Sequence, residues 1–302
     1  MKTIEAFERD IFLQIKFLQT FKPQPKLSNT SQRKAIFCGS GDSFASALLA
    51  EAHSNLTIHA ADPLDLLKNQ HLIKGNNIFL ISISGNTISN IKVAKLARKS
   101  TAITSNPQSK LAKSCSKTIN LKFPNSDIFT GGSLSFLQSA LTCISLVSNF
   151  RMPDYTKIFQ KAIRDAQKIK CSKRIFILGN LHTFPIAMYC AAKFYELLGL
   201  DAHFEKIEQF SHMELFSATK GNTVIIFEEK NNHNAQLVKN LKKIGLNVYH
   251  PTLGTGNKIS QFLFFTFLSQ LVPLFGAKRK KQKDCHFIIS KNLRNASNNM
   301  IY

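Results

Sequence analysis

The feature that most constrains this chain is a change of character at Ser82. From Ile78 to Ile81 the residues are uniformly apolar and partly β-branched, the signature of a strand buried on both faces. After it the chain turns hydroxyl-rich. Ser84-Gly85-Asn86-Thr87 surround a glycine that permits a tight turn, and Ile88, Ile91, Ala94 and Leu96 then recur at helical spacing. Such a strand-turn-helix junction aims backbone N–H groups and the positive end of a helix dipole at the turn, and hydroxyls add donors without adding charge. A phosphate suits that environment; the plainer reading is that Ser and Thr cap the helix.

The same grammar recurs. Lys34 to Phe37 reads as a strand, Gly39-Ser40-Gly41-Asp42-Ser43 as a turn, and the Ala- and Leu-rich run to Ala52 as a helix. Glycines open many such loops, so this turn says little alone. Strands at 57–60, 78–83, 100–104 and 117–121, with helices between and a long helix over 134–150, imply a parallel sheet covered on both faces. Ligands of such sheets bind off the carboxyl ends of the strands, where both turns lie. Ahead of this unit stand an amphipathic helix over 4–21 and a linker over 22–33.

Met152-Pro153-Asp154 breaks the chain, and a second round begins: helix 155–168, strand 174–178 ending at Gly179, helix 185–198, strands 202–207 and 224–227, helix 235–244, strand 247–249. The expected domains are therefore 1–152 and 153–302. The second half lacks hydroxyl-rich turns, so the first is expected to hold the phosphate and the second to contribute something different.

A formal charge of +22, from 40 Lys+Arg against 18 Asp+Glu, predicts anionic partners, without choosing among phosphorylated metabolites, nucleic acid and acidic surfaces. The basic run Lys278-Arg279-Lys280-Lys281 reads as a solvated loop. The 6 cysteines form no Cys-x-x-Cys pair and no metal-ligand spacing with histidine; they read as small buried hydrophobes in a reducing cytoplasm, with neither metal nor cofactor implied. Met1 to Lys16 mixes charges where a signal peptide would not. Phe262 to Phe275 is apolar but short for a membrane span, and reads as a core helix.

With these turns in view, Gly39 to Ser43, Ser82 to Thr87, and Thr104-Ser105 with Leu111-Ala112 resemble, in order and spacing, the sugar-phosphate site of the SIS (sugar isomerase) family. The second half is most similar to the family's bifunctional phosphoglucose/phosphomannose isomerases. Glu196 is followed sixteen residues later by His212 in Ser-His-Met-Glu, where those enzymes have His-Asn-Glu, and Lys291 stands in Ile288-Ile289-Ser290-Lys291-Asn292-Leu293. One departure stands out. Where the relatives carry Pro-Arg, this chain has Phe129-Thr130-Gly131-Gly132, with no basic residue between Lys122 and Arg151.

The resemblance implies an α/β protein of two tandem SIS domains, each a flavodoxin-like, three-layer αβα unit. It implies a cytoplasmic, metal-independent isomerase interconverting glucose-6-phosphate or mannose-6-phosphate with fructose-6-phosphate through a cis-enediol. Gly41, Ser43, Ser82, Ser84 and Thr87 would hold the hexose-6-phosphate, with Thr130 where the arginine is missing. Glu196 would be the base for both proton transfers, His212 the ring-opening residue, and Lys291 the counter-charge to a developing oxyanion. The plainer readings are an exposed helix glutamate, a polar loop histidine and a solvated lysine. A homodimer with the site at its interface is implied, and neither a membrane nor a specific nucleic acid as partner. The stretch before Lys34 is expected to be too short for a helix-turn-helix, and no glutaminase domain with a leading cysteine is expected, so neither a sugar-sensing regulator nor a glutamine-dependent amidotransferase is the expected class. The alternative is a sugar-phosphate-binding protein without catalysis.

Overall fold

In a computed structural model, which describes residues 1–124 and 126–301, the chain is α/β. It runs α1 (Thr3–Thr20), α2 (Asn29–Gln32), β1 (Ala35–Cys38), α3 (Asp42–His53), β2 (His59–Ala61), α4 (Pro63–Lys68), α5 (Gln70–Gly75), β3 (Asn77–Ile81), α6 (Ile88–Leu96), β4 (Lys99–Thr104), α7 (Lys110–Ser114), β5 (Lys117–Asn120) and α8 (Leu134–Val147). It continues through α9 (Tyr155–Lys168), β6 (Arg174–Leu178), α10 (Phe184–Leu198), β7 (Asp201–Glu205), α11 (Ile207–His212), a 3-10 turn (Glu214–Ser217), β8 (Thr223–Ile226), α12 (Asn232–Lys243), β9 (Asn247–Tyr249), α13 (Lys258–Arg279), α14 (His286–Ile289) and α15 (Lys291–Ile301).

All strand pairs are parallel, in one sheet ordered β2-β1-β3-β4-β5 and another ordered β7-β6-β8-β9. In the first, alternate residues bury on opposite faces, as the period-2 geometry of a strand requires. Ala35, Phe37, Phe79 and Ile81 pack with Ala47 and Ala50 of α3 and Cys143, Leu146 and Val147 of α8. Ile36, Cys38, Ile78 and Leu80 pack with Leu66, Ile73, Val93 and Leu111 on the other side. Helices cover both faces, which is why Ile78–Ile81 carries no polar residue. In the second sheet Phe176, Leu178, Val224 and Ile226 pack with Phe210 of α11 and Leu241 of α12. Phe227 stacks on Phe265 of α13, ring centroids 4.9 Å apart.

The chain groups into two compact units, though not by a single cut at residue 152. The four-stranded unit comprises Met1–Leu18, Ser126–Gly131 and Arg151–Ser290; the five-stranded unit comprises residues 19–124, 132–150 and 291–301. The expected assignment of the first helix to the first domain is corrected by its contacts. Thr3 N–H donates to Asp284 Oδ1 at 3.1 Å, Glu8 pairs with Lys278 at 2.5 Å and Gln14 bonds Gln270 at 2.5 Å.

Helix α13 is longer than the Phe-rich run suggests. Its 22 residues make it the one helix among the described residues long and apolar enough to cross a membrane, yet 89% of its apolar window is buried within the protein. All 6 cysteines are free. Burial pushes the Cys38, Cys143 and Cys190 thiols far up, as befits packing groups.

Candidate functional site

In the five-stranded sheet the chain winds outward in opposite directions from β1 and β3, opening a crevice at their carboxyl ends. Cys38 registers with Leu80, so the turns Gly39–Ser43 and Ser82–Thr87 leave the sheet side by side. Gly39 is obligatory: a Cβ there would stand 2.7 Å from Ser43 Cβ. Gly41 enters α3 at φ 58°.

In the second turn Ser82, only 4% exposed, accepts the Gly85 N–H at 3.2 Å and lies 3.1 Å from the Thr87 hydroxyl. Ser84 Oγ accepts from Asn86 N–H at 3.3 Å. Thr104 and Ser105 donate to the Ile83 carbonyl at 3.0 and 2.9 Å, tying the turn to the end of β4. These hydroxyls shape the turn without capping the helix. Ser28, Asp62 and Ser109 cap α2, α4 and α7, whereas Gly41, Thr87 and Ser133 at the starts of α3, α6 and α8 make no side-chain cap hydrogen bond. Two helix N-termini without side-chain caps flank the crevice; that of α3 carries Asp42 in its first turn, whereas the amides and dipole of α6 favour an anion.

The four-stranded sheet repeats this winding, with β6 and β8 as the divergent pair. Gly179 is packed like Gly39, since a Cβ would stand 2.8 Å from Thr183 backbone atoms. Leu178 registers with Ile226 as Cys38 does with Leu80, so Glu228 holds the position that Ser82 holds in the other sheet. Its Oε1 accepts the Asn180 N–H and the Thr183 hydroxyl, each at 2.8 Å. The chain's own carboxylate takes the donors a bound anion would use.

Glu196 lies in the last turn of α10, its side chain 33% exposed, with Oε2 2.5 Å from the ammonium of Lys193, which is fully buried. Lys193 also stands 4.8 Å over the Tyr189 ring. A Cβ on Gly131 would lie 2.7 Å from Glu196 Oε2 and 3.2 Å from Leu197 Cδ1. The glycine that departs from the relatives' Pro-Arg is thus the residue that leaves room for this carboxylate. Lys193 escaped the sequence reading; its signal was a charged residue three places before Glu196 in a helix otherwise apolar.

His212 ends α11, 71% exposed, with its ring 3.2 Å from Glu208 Oε1. Lys291 opens α15 and is exposed. Glu196 and His212 belong to the four-stranded unit, and Lys291 to the five-stranded one. Thr130, expected near a phosphate, gives its hydroxyl to Asp10 Oδ2 at 3.3 Å, beside Ser126 at 3.2 Å. Burial pushes the Asp10 carboxyl above its usual range, and these hydroxyls oppose that shift. Among the described residues no group of three or more His, Cys, Asp or Glu is placed to hold a metal ion.

Residues 168–261 match the SIS domain family. The matched stretch lies within the four-stranded unit. No curated protein sequence matches the chain. Among solved structures it is similar to a glucosamine-6-phosphate deaminase from Thermotoga maritima, with a TM-score of 0.73 at 19% identity over 94% of this chain and 96% of that one. A tagatose-6-phosphate ketose/aldose isomerase from Escherichia coli gives 0.69 at 16% identity, covering 93% and 90%. The C-terminal domain of a glucosamine-fructose-6-phosphate aminotransferase from Francisella tularensis gives 0.59 at 13%, covering 90% and 92%. At these identities the likeness establishes the fold, and the differing reactions of the three show that this fold does not by itself set the chemistry.

Proposed function

We propose that the chain is a phosphosugar aldose–ketose isomerase of two tandem SIS domains, interconverting glucose-6-phosphate and/or mannose-6-phosphate with fructose-6-phosphate through a cis-enediol. The observation that carries this reading is the pair of uncapped helix N-termini flanking the crevice of the five-stranded sheet. Amides at the starts of α3 and α6, with Ser43, Ser82, Ser84 and Thr87, would receive the phosphate. Phosphate binding energy then positions the reacting carbons. Glu196 is assigned both proton transfers, from one sugar carbon and back to its neighbour, with no metal required. The buried ammonium of Lys193 fixes the orientation of that carboxylate, and Gly131 keeps its approach clear. His212 is assigned to ring opening and Lys291 to the oxyanion, in a homodimer in which a second copy supplies the histidine.

A second reading, binding without turnover, is favoured by the exposure of His212 and by the absence of a basic residue between Lys122 and Arg151. Coupled assays of the purified protein with the three hexose-6-phosphates separate the two. Interconversion that is lost in Glu196→Gln supports the isomerase; saturable binding of fructose-6-phosphate with no turnover selects the binder.

A further inference from the structure

Within the four-stranded unit, a pocket of about 250 Å³ opens between α9 and the segments leaving the carboxyl ends of β8 and β9. Lys161, Asp165 and Lys168 line it from the helix, and Lys230, Tyr249 and His250 from the strand ends. We propose that this pocket is an anion site that takes a small phosphate monoester, gripped by Lys168 and Lys230. It stands apart from the sugar-phosphate reading of the five-stranded sheet and does not depend on it.

Charge is the first argument. Three ammonium groups face one carboxylate: Asp165 binds Lys161 at 2.6 Å and Lys168 at 3.4 Å, while Lys230 forms no ion pair among the described residues. The carboxylates just before Lys230 in sequence act on His250 and are held by neutral donors. Glu228 holds Asn180 and Thr183, and Glu229 accepts the amides of Leu253 and Gly254 at 3.0 Å each. Among the side chains that line the pocket, three ammonium groups stand against one carboxylate.

Polar groups supply the second argument. His250 Nε2 donates to the Glu228 carbonyl at 2.8 Å, and burial pushes its imidazole below the ordinary range, so the ring is neutral and its other nitrogen is an acceptor. Tyr249 accepts the Lys170 N–H at 3.2 Å and keeps its own proton to donate. Ammonium groups for a phosphate, beside an acceptor and a donor for hydroxyls, suit an ester of a hydroxylated molecule better than a bare ion. The volume falls just under the about 300–1,000 Å³ typical of drug-sized ligand pockets. That suits a monoester and is too small for a dinucleotide.

The test is an amide-resolved NMR titration of the full-length protein, first with inorganic phosphate and separately with glucose-6-phosphate. Saturable shifts are expected at the amides of Lys230, His250 and Thr252, stronger with the ester. Lys168→Glu with Lys230→Glu should weaken them by about 100-fold or more, and Lys230→Gln alone by about tenfold or more, the loss of two and of one charge-assisted hydrogen bond. Responses at Gly85 and Thr87, which report the other crevice, should stay unchanged in these variants. Shifts at Lys230 and Thr252 that grow linearly beyond about 10 mM, or that survive charge reversal, would overturn the proposal and leave the first crevice untouched.

Discussion

Ser82 and Glu228 hold the same register position in two sheets wound in the same order, and they give the two crevices opposite characters. Both crevices begin with a strand, a close-packed glycine and a hydroxyl residue four places on, Gly39 and Ser43 in one, Gly179 and Thr183 in the other. In the five-stranded unit a neutral hydroxyl folds back onto its own turn, and the helix N-termini stay uncapped. In the four-stranded unit a carboxylate reaches across and takes the amide and hydroxyl there. The winding opens a crevice each time, and in the reading proposed above one side chain decides whether a ligand or the chain itself fills it. The four-stranded unit also carries the buried Lys193–Glu196 pair.

The sharpest consequence of this division is that chemistry and grip should come apart. Glu196→Gln is expected to lower turnover by about 10²–10⁴-fold, while fructose-6-phosphate still shifts the Gly85 and Thr87 amides at unchanged concentration. A variant that keeps full activity would remove Glu196 from the mechanism. Next in size, Glu228→Ala strips the Asn180 amide and Thr183 hydroxyl of a charged partner, which should cost about 1.5–3 kcal/mol of stability in a denaturant titration. No loss there would mean that the carboxylate is not holding the second crevice shut. The smallest effect is expected from Thr130→Val. Removing one of two hydroxyls on Asp10 should cost about 1 kcal/mol and leave sugar-phosphate binding intact, whereas weakened binding would place Thr130 in the substrate site.

Much of the fold was legible because its elements carry their periods openly. Ile78–Ile81 has no polar residue because both its faces are covered, and the helix over 155–168 is found at those limits. Edges were blurred where one residue could serve two elements: Ile207, read as the end of a strand, begins α11, and β2 lies at His59–Ala61 and not 57–60. The placement of α1 was hidden, because an amphipathic pattern shows that a face is buried but not against what. The open crevice could be read from its hydroxyls and glycines. The closed one could not, since Glu228 acquires its meaning only from the register of β6 with β8. Lys193 looked like any helix lysine until its burial beside Glu196 was seen. Thr130 was assigned by position in a pattern, which gave no sign of its hydrogen bond to Asp10 of α1.

The most direct measurement converts one crevice into the other. In Ser82→Glu, checked for native circular dichroism, the new carboxylate stands where Glu228 stands and should take the neighbouring donors. Titration with fructose-6-phosphate, followed at the Gly85 and Thr87 amides, is expected to saturate in the unsubstituted protein and to weaken by about 100-fold or more in the variant, the effect of two charge-assisted hydrogen bonds denied to the ligand. Equal saturation in both proteins would contradict the claim that this position decides what the crevice holds.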